Sequence, residues 1–201
     1  RLNLGGTHTF GPDSALSGPG VLGVISGTAD FGGLVDVRGD HVFGGGTANL
    51  TGRYFAITNQ IAITGGTANF SGTGAVTPST LVITNQGALG GTSPVTVRGP
   101  MRWSSGRIQG GGPVVAEGGL ELIGGVLSLS GRTLVNRGAA RWGGASAGTL
   151  FVGGGGVITN LAGASFELDL DAIVSDSGGA GGFVNEGLFR KTGGAGGTFF
   201  T

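Results

Sequence analysis

Three segments of this chain can be laid over one another at a nearly constant spacing. Arg98, Glu117 and Arg137 occupy the same position in these segments and are 19 and 20 residues apart. A fixed period of this size is typical of stacked repeats, in which each unit buries its apolar face only against its neighbours. The sequence therefore predicts a stack of similar coils.

Apolar and charged residues alternate within each of these segments. The alignment yields two apolar columns and one charged column: Met101, Leu120 and Ala140; Trp103, Leu122 and Trp142; Arg102, Glu121 and Arg141. A period of two indicates strands, with the apolar columns inward and the charged column outward. Continuing past Arg141, with one bulge at Leu161-Ala162, adds Glu167 and Arg190. We therefore predict an outward ladder of alternating charges.

The first half of the chain repeats a Gly-Gly-Thr phrase. The threonines are 21, 19 and 20 residues apart, and the third residue after each is large and apolar: Thr7, Thr28, Thr47 and Thr67, followed by Phe10, Phe31, Leu50 and Phe70. Glycine suits a corner that needs positive φ, and β-branched threonine suits the start of a strand. Further strands are predicted at 34–37, 54–57, 61–63 and 81–83. Stacked asparagines at corners can satisfy backbone groups, which we predict for Asn59, Asn85, Asn136, Asn160 and Asn185.

These patterns predict an all-β fold, a single parallel β-helix with 19 to 26 residues per coil. Right-handed winding is expected from the handedness of parallel crossovers. We expect one domain over residues 1–201, with Gly-Gly-Thr coils in 1–94 and charged-ladder coils in 95–201. No window shows uninterrupted helical spacing of apolar residues.

The composition narrows the classes of function. Glycine accounts for 49 residues, but 38% of the chain is hydrophobic and 11% is charged, which is unlike a disordered segment. The net charge of zero provides no field to attract nucleic acid or anionic lipid. Without cysteine there are no disulfides and no thiolate metal sites. No apolar run approaches the roughly 20 residues of a membrane span, so membrane insertion is not expected.

Several short motifs have functional interpretations, and the repeat explains each of them. Residues 144–148 match G-x-S-x-G, but no helix is predicted there and both histidines, His8 and His41, precede Ser146. Residues 38–40 spell Arg-Gly-Asp, and Arg-Gly recurs at later corners. Asn49 and Asn69 begin N-glycosylation acceptor patterns whose offset is that of the repeat. We predict turn and strand roles for these motifs.

Some ionisable and aromatic residues are candidate ligands. Glu167, Asp169 and Asp171 alternate along one strand, with Asp176 near, and could hold Ca²⁺, although an outward acidic face explains them too. The two tryptophans could stack on sugars, but they lie in the inward register. We therefore assign no catalytic, cofactor-binding or metal-binding residue. The arginines of the middle region are expected on an ion-pair face with Glu117 and Glu121: Arg98, Arg102, Arg107, Arg132, Arg137 and Arg141.

Four phrases of the second half resemble the repeats of large secreted or surface-anchored bacterial β-helix proteins, of the filamentous-haemagglutinin and autotransporter-passenger kind. They are Leu127–Asn136, Gly138–Trp142, Ile158–Phe166 and Val184–Lys191. The first half resembles the same proteins more loosely. The resemblance implies an extracellular or bacterial cell-surface location and a role as an adhesin, stalk or fibre. It implies no catalytic residues.

The leading prediction is thus a non-enzymatic structural segment that assembles end to end by strand stacking. The chain opens at Arg1 without Met and is β-prone at both ends, which suggests a piece of a longer rod or a rod that polymerises head to tail with copies of itself. Two alternatives remain: a module that binds surface glycans or another surface, and a carbohydrate-active β-helix enzyme. An enzyme of that class needs acids and bases clustered in one groove, whereas the charges here are spread along columns.

Overall fold

Short apolar runs broken by glycine-rich corners make each turn of this chain a set of short strands. The structure is a computed structural model that describes residues 1–55 and 59–201. The described residues form 26 strands, numbered in chain order, and contain no helix. Strands of successive turns pair in parallel, so the chain winds as a β-solenoid of about nine turns. The predicted all-β parallel β-helix is confirmed.

The strands line three faces of the solenoid. Face 1 holds β1 (Leu2–Leu4), β4 (Leu22–Val24), β7 (His41–Phe43), β10 (Gln60–Ile63), β12 (Thr80–Ile83), β15 (Met101–Trp103), the first part of β18 (Leu120–Ser130), the first part of β20 (Ala139–Gly153), β22 (Ser165–Asp169) and β25 (Leu188–Gly193). Face 2 holds β2 (Thr7–Phe10), β5 (Thr28–Phe31), β8 (Thr47–Leu50), β11 (Thr67–Phe70), β13 (Ala88–Gly91), β16 (Gly106–Gln109), the second parts of β18 and β20, β23 (Ala172–Asp176) and β26 (Phe199–Phe200). Face 3 holds β3 (Ala15–Gly18), β6 (Leu34–Val37), β9 (Arg53–Tyr54), β14 (Val95–Val97), β17 (Val114–Ala116), β19 (Thr133–Asn136), β21 (Val157–Asn160) and β24 (Gly182–Asn185). Of the strand predicted at 54–57, Tyr54 ends β9, and residues 56 and 57 lie outside the described residues.

Face 1 supplies two inward columns that run the length of the solenoid, because alternate residues of each strand point to the same side. The first column holds Leu2, Leu22, His41, Ile61, Leu81, Met101, Leu120, Ala140, Phe166 and Phe189. The second holds Leu4, Val24, Phe43, Ile63, Ile83, Trp103, Leu122, Trp142 and Leu168. Every member of the second column is at most 6% exposed. The two predicted apolar columns of the middle segments are therefore confirmed.

Face 2 changes its inward column along the axis. In the early turns the predicted column of Phe10, Phe31, Leu50 and Phe70 is in register and packed inward. In β13 the next member is Gly91. From β18 onward another column is filled, by Leu127, Leu150, Val174 and Phe200, in register with Gly106 of β16. One inward column of face 2 has thus shifted toward the corner with face 1, while the column beside it, which includes Ala68, Leu89 and Leu129, continues through these turns.

The corner between faces 1 and 2 also changes in the later turns. Early turns break there at glycine, as at Gly27 and Gly46, both of which have φ near +70°. In β18 and β20 the strand runs through the corner, and a bulge lies between Ile123 and Gly125. A bulge bends a strand without ending it. Faces 1 and 2 consequently form one continuous sheet of 18 strands, whereas face 3 is divided into sheets of five and three.

The predicted charged column is confirmed in full. Arg102 pairs in register with Glu121, Glu121 with Arg141, Arg141 with Glu167 and Glu167 with Arg190. The extra residues expected as a bulge at Leu161-Ala162 form a turn between β21 and β22, closed by a hydrogen bond from the Ala164 N–H to the Leu161 carbonyl at 3.0 Å. A turn lengthens the coil outside the ladders and leaves the register of both neighbouring strands intact.

Candidate functional site

The outer side of face 1 carries a series of ion pairs. Arg102 lies 3.6 Å from Glu121, and Arg190 is paired with Glu167. Arg141 forms its ion pair with Asp169 rather than with either glutamate of its own column. The side chains of these pairs are between about a quarter and three-fifths exposed, so each pair is worth only about 0.2–1 kcal/mol. The ladder therefore helps specify register more than it contributes stability.

The acidic trio of the sequence is fully paired. Glu167 binds Arg190, Asp169 binds Arg141, and Asp171 lies 2.8 Å from the Lys191 ammonium. The Lys191 hydrogen bond, followed by that of the Gly196 N–H, lowers the pKa of Asp171. Across residues 1–55 and 59–201 no group of three or more histidine, cysteine, aspartate or glutamate side chains is arranged to hold a metal ion. The trio is thus an ion-paired outer surface.

The outer side of face 2 in the early turns carries a second ladder, built from two amides and one carboxylate. The Asn69 amide donates to Asn49 Oδ1 at 2.8 Å, and the Asn49 amide donates to Asp30 Oδ1 at 2.7 Å. The predicted threonine column, Thr7, Thr28, Thr47 and Thr67, runs beside it in register. Both glycosylation-like asparagines therefore have their amide nitrogens engaged in this ladder. Sequence analysis noted their spacing but missed the ladder.

In the later turns the same side of face 2 is uncharged and partly apolar. Val126, Thr149, Ile173 and Phe199 follow one another in one outward column. Phe151 lies in the next column, between Ser128 and Ser175. Val126 and Phe199 are 56% and 58% exposed, while Phe151 and Ile173 are about two-fifths exposed. We call this patch, formed by Val126, Thr149, Phe151, Ile173 and Phe199, the apolar patch. An exposed apolar patch on a sheet is a candidate contact surface.

Arg132 is the largest departure from the predicted ion-pair face, because its side chain is buried at 1% exposure. Its guanidinium donates to four backbone carbonyls of earlier turns: Gln109 at 2.9 Å, Ser93 at 3.3 Å, Gly90 at 3.1 Å and Gly91 at 2.6 Å. Gly91 is the residue at which the aromatic column of face 2 stops. Burial lowers the pKa of Arg132 to about 10. Arg132 thus connects the later turns to the coils of residues 1–94, at the level where the aromatic column of face 2 ends.

A buried polar pair lies in the early turns. His41 stands in an inward column, its Nδ1 bonds the Tyr54 hydroxyl, and its Nε2 lies 2.9 Å from the Val37 carbonyl. Burial lowers the pKa of His41 to about 4, against opposing effects of the Val37 carbonyl and Asp40, and burial also raises the pKa of Tyr54. A neutral imidazole can satisfy both partners. The spacing of the histidines along the sequence had not indicated this pair.

The predicted asparagine column is partly correct. Asn136 donates to Asn160 at 2.8 Å, and Asn160 donates to Asn185 at 2.7 Å. The same amides bond carbonyls of the next corner, Ser165 and Leu188, at 2.9 and 3.0 Å. Asn136 and Asn160 are fully buried. Asn59 and Asn85 do not join this column: Asn59 directly precedes β10, and Asn85 lies at the corner between β12 and β13 with a positive φ of 51°.

Trp103 and Trp142 are both core residues, as predicted, with 0% exposure. Neither indole Nε1–H has a hydrogen-bond partner. The G-x-S-x-G phrase lies within β20, where Ser146 is exposed. A Cβ at Gly148 would come within 2.6 Å of the Trp142 ring, so this glycine is required by packing. The phrase is a strand segment that covers a tryptophan, and the strand–turn–helix setting of a nucleophile elbow is absent from the described residues.

The Arg-Gly-Asp tripeptide occupies a corner. Arg38 lies 3.6 Å from Asp36, and a Cβ at Gly39 would collide with the backbone of Gly20 in the turn before. The corner glycines that recur after arginine at Gly99 and Gly138 also approach backbone carbonyls of the turn before. Close coil stacking explains these glycines, as the repeat had indicated.

The two ends of the solenoid are open. No strand of residues 1–55 and 59–201 pairs with the outer edges of β1 to β3, or with those of β24 to β26. At the first turn Leu2, Phe10 and Leu16 are only partly covered. At the last turn Phe183, Phe189 and Phe200 contact one another with ring centroids 5.4 to 5.9 Å apart. Such edges are ready templates for further strand pairing.

No protein-family model, curated protein or solved structure matches this chain. Within the part of the chain that the structure describes, no helix is long and apolar enough to cross a membrane.

Proposed function

We propose that this chain is a structural segment of an extracellular or bacterial cell-surface fibre, stalk or adhesin. It works by stacking β-strands along the solenoid axis and has no catalytic role. The observation that supports this most directly is the single apolar core, which runs from Leu4 to Val174 and still presents partly covered apolar side chains at the first turn. A solenoid with an open end gains stability when further β-structure covers that end.

The proposal predicts that the first-turn edge associates. Sedimentation velocity and electron microscopy of the purified chain at rising concentration should show self-association through β1 to β3. Leu2→Lys places a charge at the inward edge of β1 and should abolish it, because burying an ammonium against another coil is unfavourable. Asn3→Lys, on the outward side of the same strand, is the matched control. A chain that stays monomeric at every concentration would overturn assembly by stacking of separate copies.

A second candidate function, a module that binds glycans or another neutral surface, is favoured by the apolar patch. Phe151 and Phe199 are exposed there among hydroxyl groups, without a charged residue in either outward column from Val126 to Thr201. Aromatic faces and hydroxyl groups suit an uncharged carbohydrate. Phe151→Ala should reduce co-sedimentation with insoluble polysaccharide, whereas Ile25→Ala, which removes a more exposed apolar side chain elsewhere, should not. Equal binding of both variants would exclude this candidate.

A further inference from the structure

A shallow groove lies on the outer side of face 1 in the middle turns, with a volume of about 480 Å³. Its floor is a column of small residues on three successive coils: Pro100, Gly119 and Ala139. The charged column of face 1 lines one side of it: Arg102, Glu121 and Arg141. A Cβ at Gly119 would meet only the Ala139 carbonyl, at 3.5 Å, so the space above the floor is open.

A second charged column stands two residues before this floor, at the corner between faces 3 and 1. Arg98, Glu117 and Arg137 follow one another there, because the Glu117 N–H bonds the Val97 carbonyl and the Arg137 N–H bonds the Ala116 carbonyl. The order of charges is the same as in the column of face 1. Three successive coils therefore carry two arginines, two glutamates and two arginines, which form a positive band, a negative band and a second positive band.

The guanidinium groups of these bands have unused donors. Arg102 lies 3.6 Å from Glu121 and Arg137 lies 3.8 Å from Glu117, and both distances are too long for a hydrogen bond. Within residues 1–55 and 59–201, Arg98 has neither an ion pair nor a side-chain hydrogen bond. An exposed ion pair contributes only about 0–1 kcal/mol, so a ligand with a better-placed anion can replace it.

The spacing of the bands selects a type of ligand. Neighbouring coils are about 4.8 Å apart, so the two positive bands are separated by about 9.6 Å. This distance is comparable with the length of one disaccharide unit in an extended polysaccharide. In the second positive band Arg137 is the available group, because Arg141 is hydrogen-bonded to Asp169. A guanidinium binds a carboxylate with two parallel hydrogen bonds, so each positive band suits one carboxylate.

The negative band between them excludes a ligand with an anion on every unit. Such a polymer would place an anion against Glu117 and Glu121, whereas an uncharged sugar at this coil can donate its hydroxyl hydrogens to the two carboxylates. None of the residues that line the groove is aromatic. The groove thus lacks the stacking platforms on which single-stranded nucleic acids bind.

We propose that this groove binds an unbranched acidic polysaccharide in which a uronic acid alternates with an uncharged sugar. The polysaccharide lies along the solenoid axis, with one carboxylate at Arg98 and Arg102 and the next at Arg137. The intervening sugar donates hydroxyl groups to Glu117 and Glu121. The site is separate from the apolar patch of face 2 and from strand pairing at the ends, so it does not depend on the stacking function.

The test is isothermal titration calorimetry at about 0.15 M salt, where weak long-range attraction is screened. The probe is a hyaluronan oligosaccharide, in which glucuronic acid alternates with an uncharged amino sugar. The comparison ligands are an oligogalacturonate with an acid on every sugar, neutral dextran, polyglutamate and a single-stranded DNA. Arg98→Gln/Arg102→Gln removes the first positive band. Arg38→Gln/Arg107→Gln, which changes the net charge equally at exposed positions elsewhere, is the matched control, and circular dichroism verifies each fold.

We expect the wild type to bind hyaluronan more tightly than any comparison ligand. Arg98→Gln/Arg102→Gln should weaken this binding at least about tenfold, and the control variant should leave it unchanged. Glu117→Gln/Glu121→Gln should favour oligogalacturonate, so that the ratio of the affinity for hyaluronan to that for oligogalacturonate falls at least about fivefold.

Absence of hyaluronan binding by the wild type would overturn the proposal. Equal weakening by the two arginine variants would also overturn it, because general loss of positive charge would then be the cause. Binding of oligogalacturonate, polyglutamate or DNA as tight as that of hyaluronan would overturn the selection by alternating bands, as would an unchanged affinity ratio in the glutamate variant. Sedimentation of the unliganded chain tests stacking separately.

Discussion

The coils of residues 1–94 and those of residues 95–201 share one fold and differ in how they use polar groups. Early turns place a hydrogen-bonded ladder of two asparagines and one aspartate outside, from Asn69 to Asp30, and bury a histidine–tyrosine pair. Later turns place ion pairs outside and bury an asparagine ladder. The parallel backbone register is continuous through both. Inward apolar columns and backbone pairing therefore define the fold, and the polar ladders are interchangeable additions.

The two parts also differ in which positions of face 2 carry large inward side chains, and this difference appears at the junction between them. The aromatic column of face 2 ends at Phe70, and another column begins at Leu127. Between them Arg132 bonds carbonyls of the fifth and sixth turns. A buried guanidinium has several donors in a fixed plane, so it can satisfy the backbone carbonyls at the glycine corner where the aromatic column ends.

The largest expected effect tests whether the apolar column is common to both parts. Trp142→Ala should cost about 3–5 kcal/mol of unfolding free energy through the cavity that it leaves, and Phe43→Ala in the same column should cost a similar amount. Trp142→Phe should cost about 1 kcal/mol or less, because it also removes a buried N–H that has no partner. Urea unfolding measures all three. An unchanged midpoint for Trp142→Ala would contradict the shared column.

Acidification should affect the stability of the early turns more than that of the later turns, because the buried His41 lies in the early turns. Its pKa falls from 6.5 to about 4 on folding, so between these values the unfolded state binds a proton that the folded state does not. Stability should therefore decrease by about 3 kcal/mol as the pH falls from 6.5 to 4, and this dependence should level off below pH 4. Chemical denaturation across this range measures it. His41→Leu/Tyr54→Phe should remove the dependence, and an identical pH profile in that variant would exclude His41 as its source.

Arg132→Met should uncouple the early turns from the later ones. It leaves four carbonyls without the guanidinium and should cost about 2–3 kcal/mol. Hydrogen exchange should then show the two parts opening separately. Arg137→Gln, which removes an exposed pair 3.8 Å from Glu117, should cost less than about 0.5 kcal/mol. If the two substitutions cost the same, the buried contacts of Arg132 contribute little to the junction.

The buried asparagine ladder of the later turns should contribute more to the free energy of unfolding than the outer ladder of the early turns. Asn160→Ala leaves buried polar partners unsatisfied and should cost about 2 kcal/mol, whereas Asn49→Ala on the outer, part-buried ladder should cost about 0.5 kcal/mol. Thermal unfolding of the two variants gives the comparison directly. Equal losses would show that burial does not distinguish the ladders.

The smallest effect concerns the charged ladder. Glu121→Gln removes a charge between Arg102 and Arg141 and should cost less than about 1 kcal/mol at low salt. Added salt should reduce the difference from the wild type in equilibrium unfolding. A larger loss that salt does not change would mean that Glu121 acts through packing rather than charge.

The sequence alone determined the coil period, the strand alternation and the order of the main columns. Met101, Trp103, Arg102 and their counterparts could be placed because each repeat carries its own side of the contact. Residues on adjacent strands are about one coil apart in sequence, so a regular period is sufficient to predict their register. The charged column through Glu167 and Arg190 was predicted on this basis.

Only the tertiary structure decided which polar groups are buried and with which partners they form hydrogen bonds or ion pairs. Gly91 lies two turns back along the same glycine corner, and Arg132 reaches it with a buried side chain that the sequence pattern placed on the outer surface. His41 meets Tyr54 across the core, and Arg141 prefers Asp169 to the glutamates of its own column. Such choices depend on the width of each turn and on side-chain reach, which a periodic pattern does not contain.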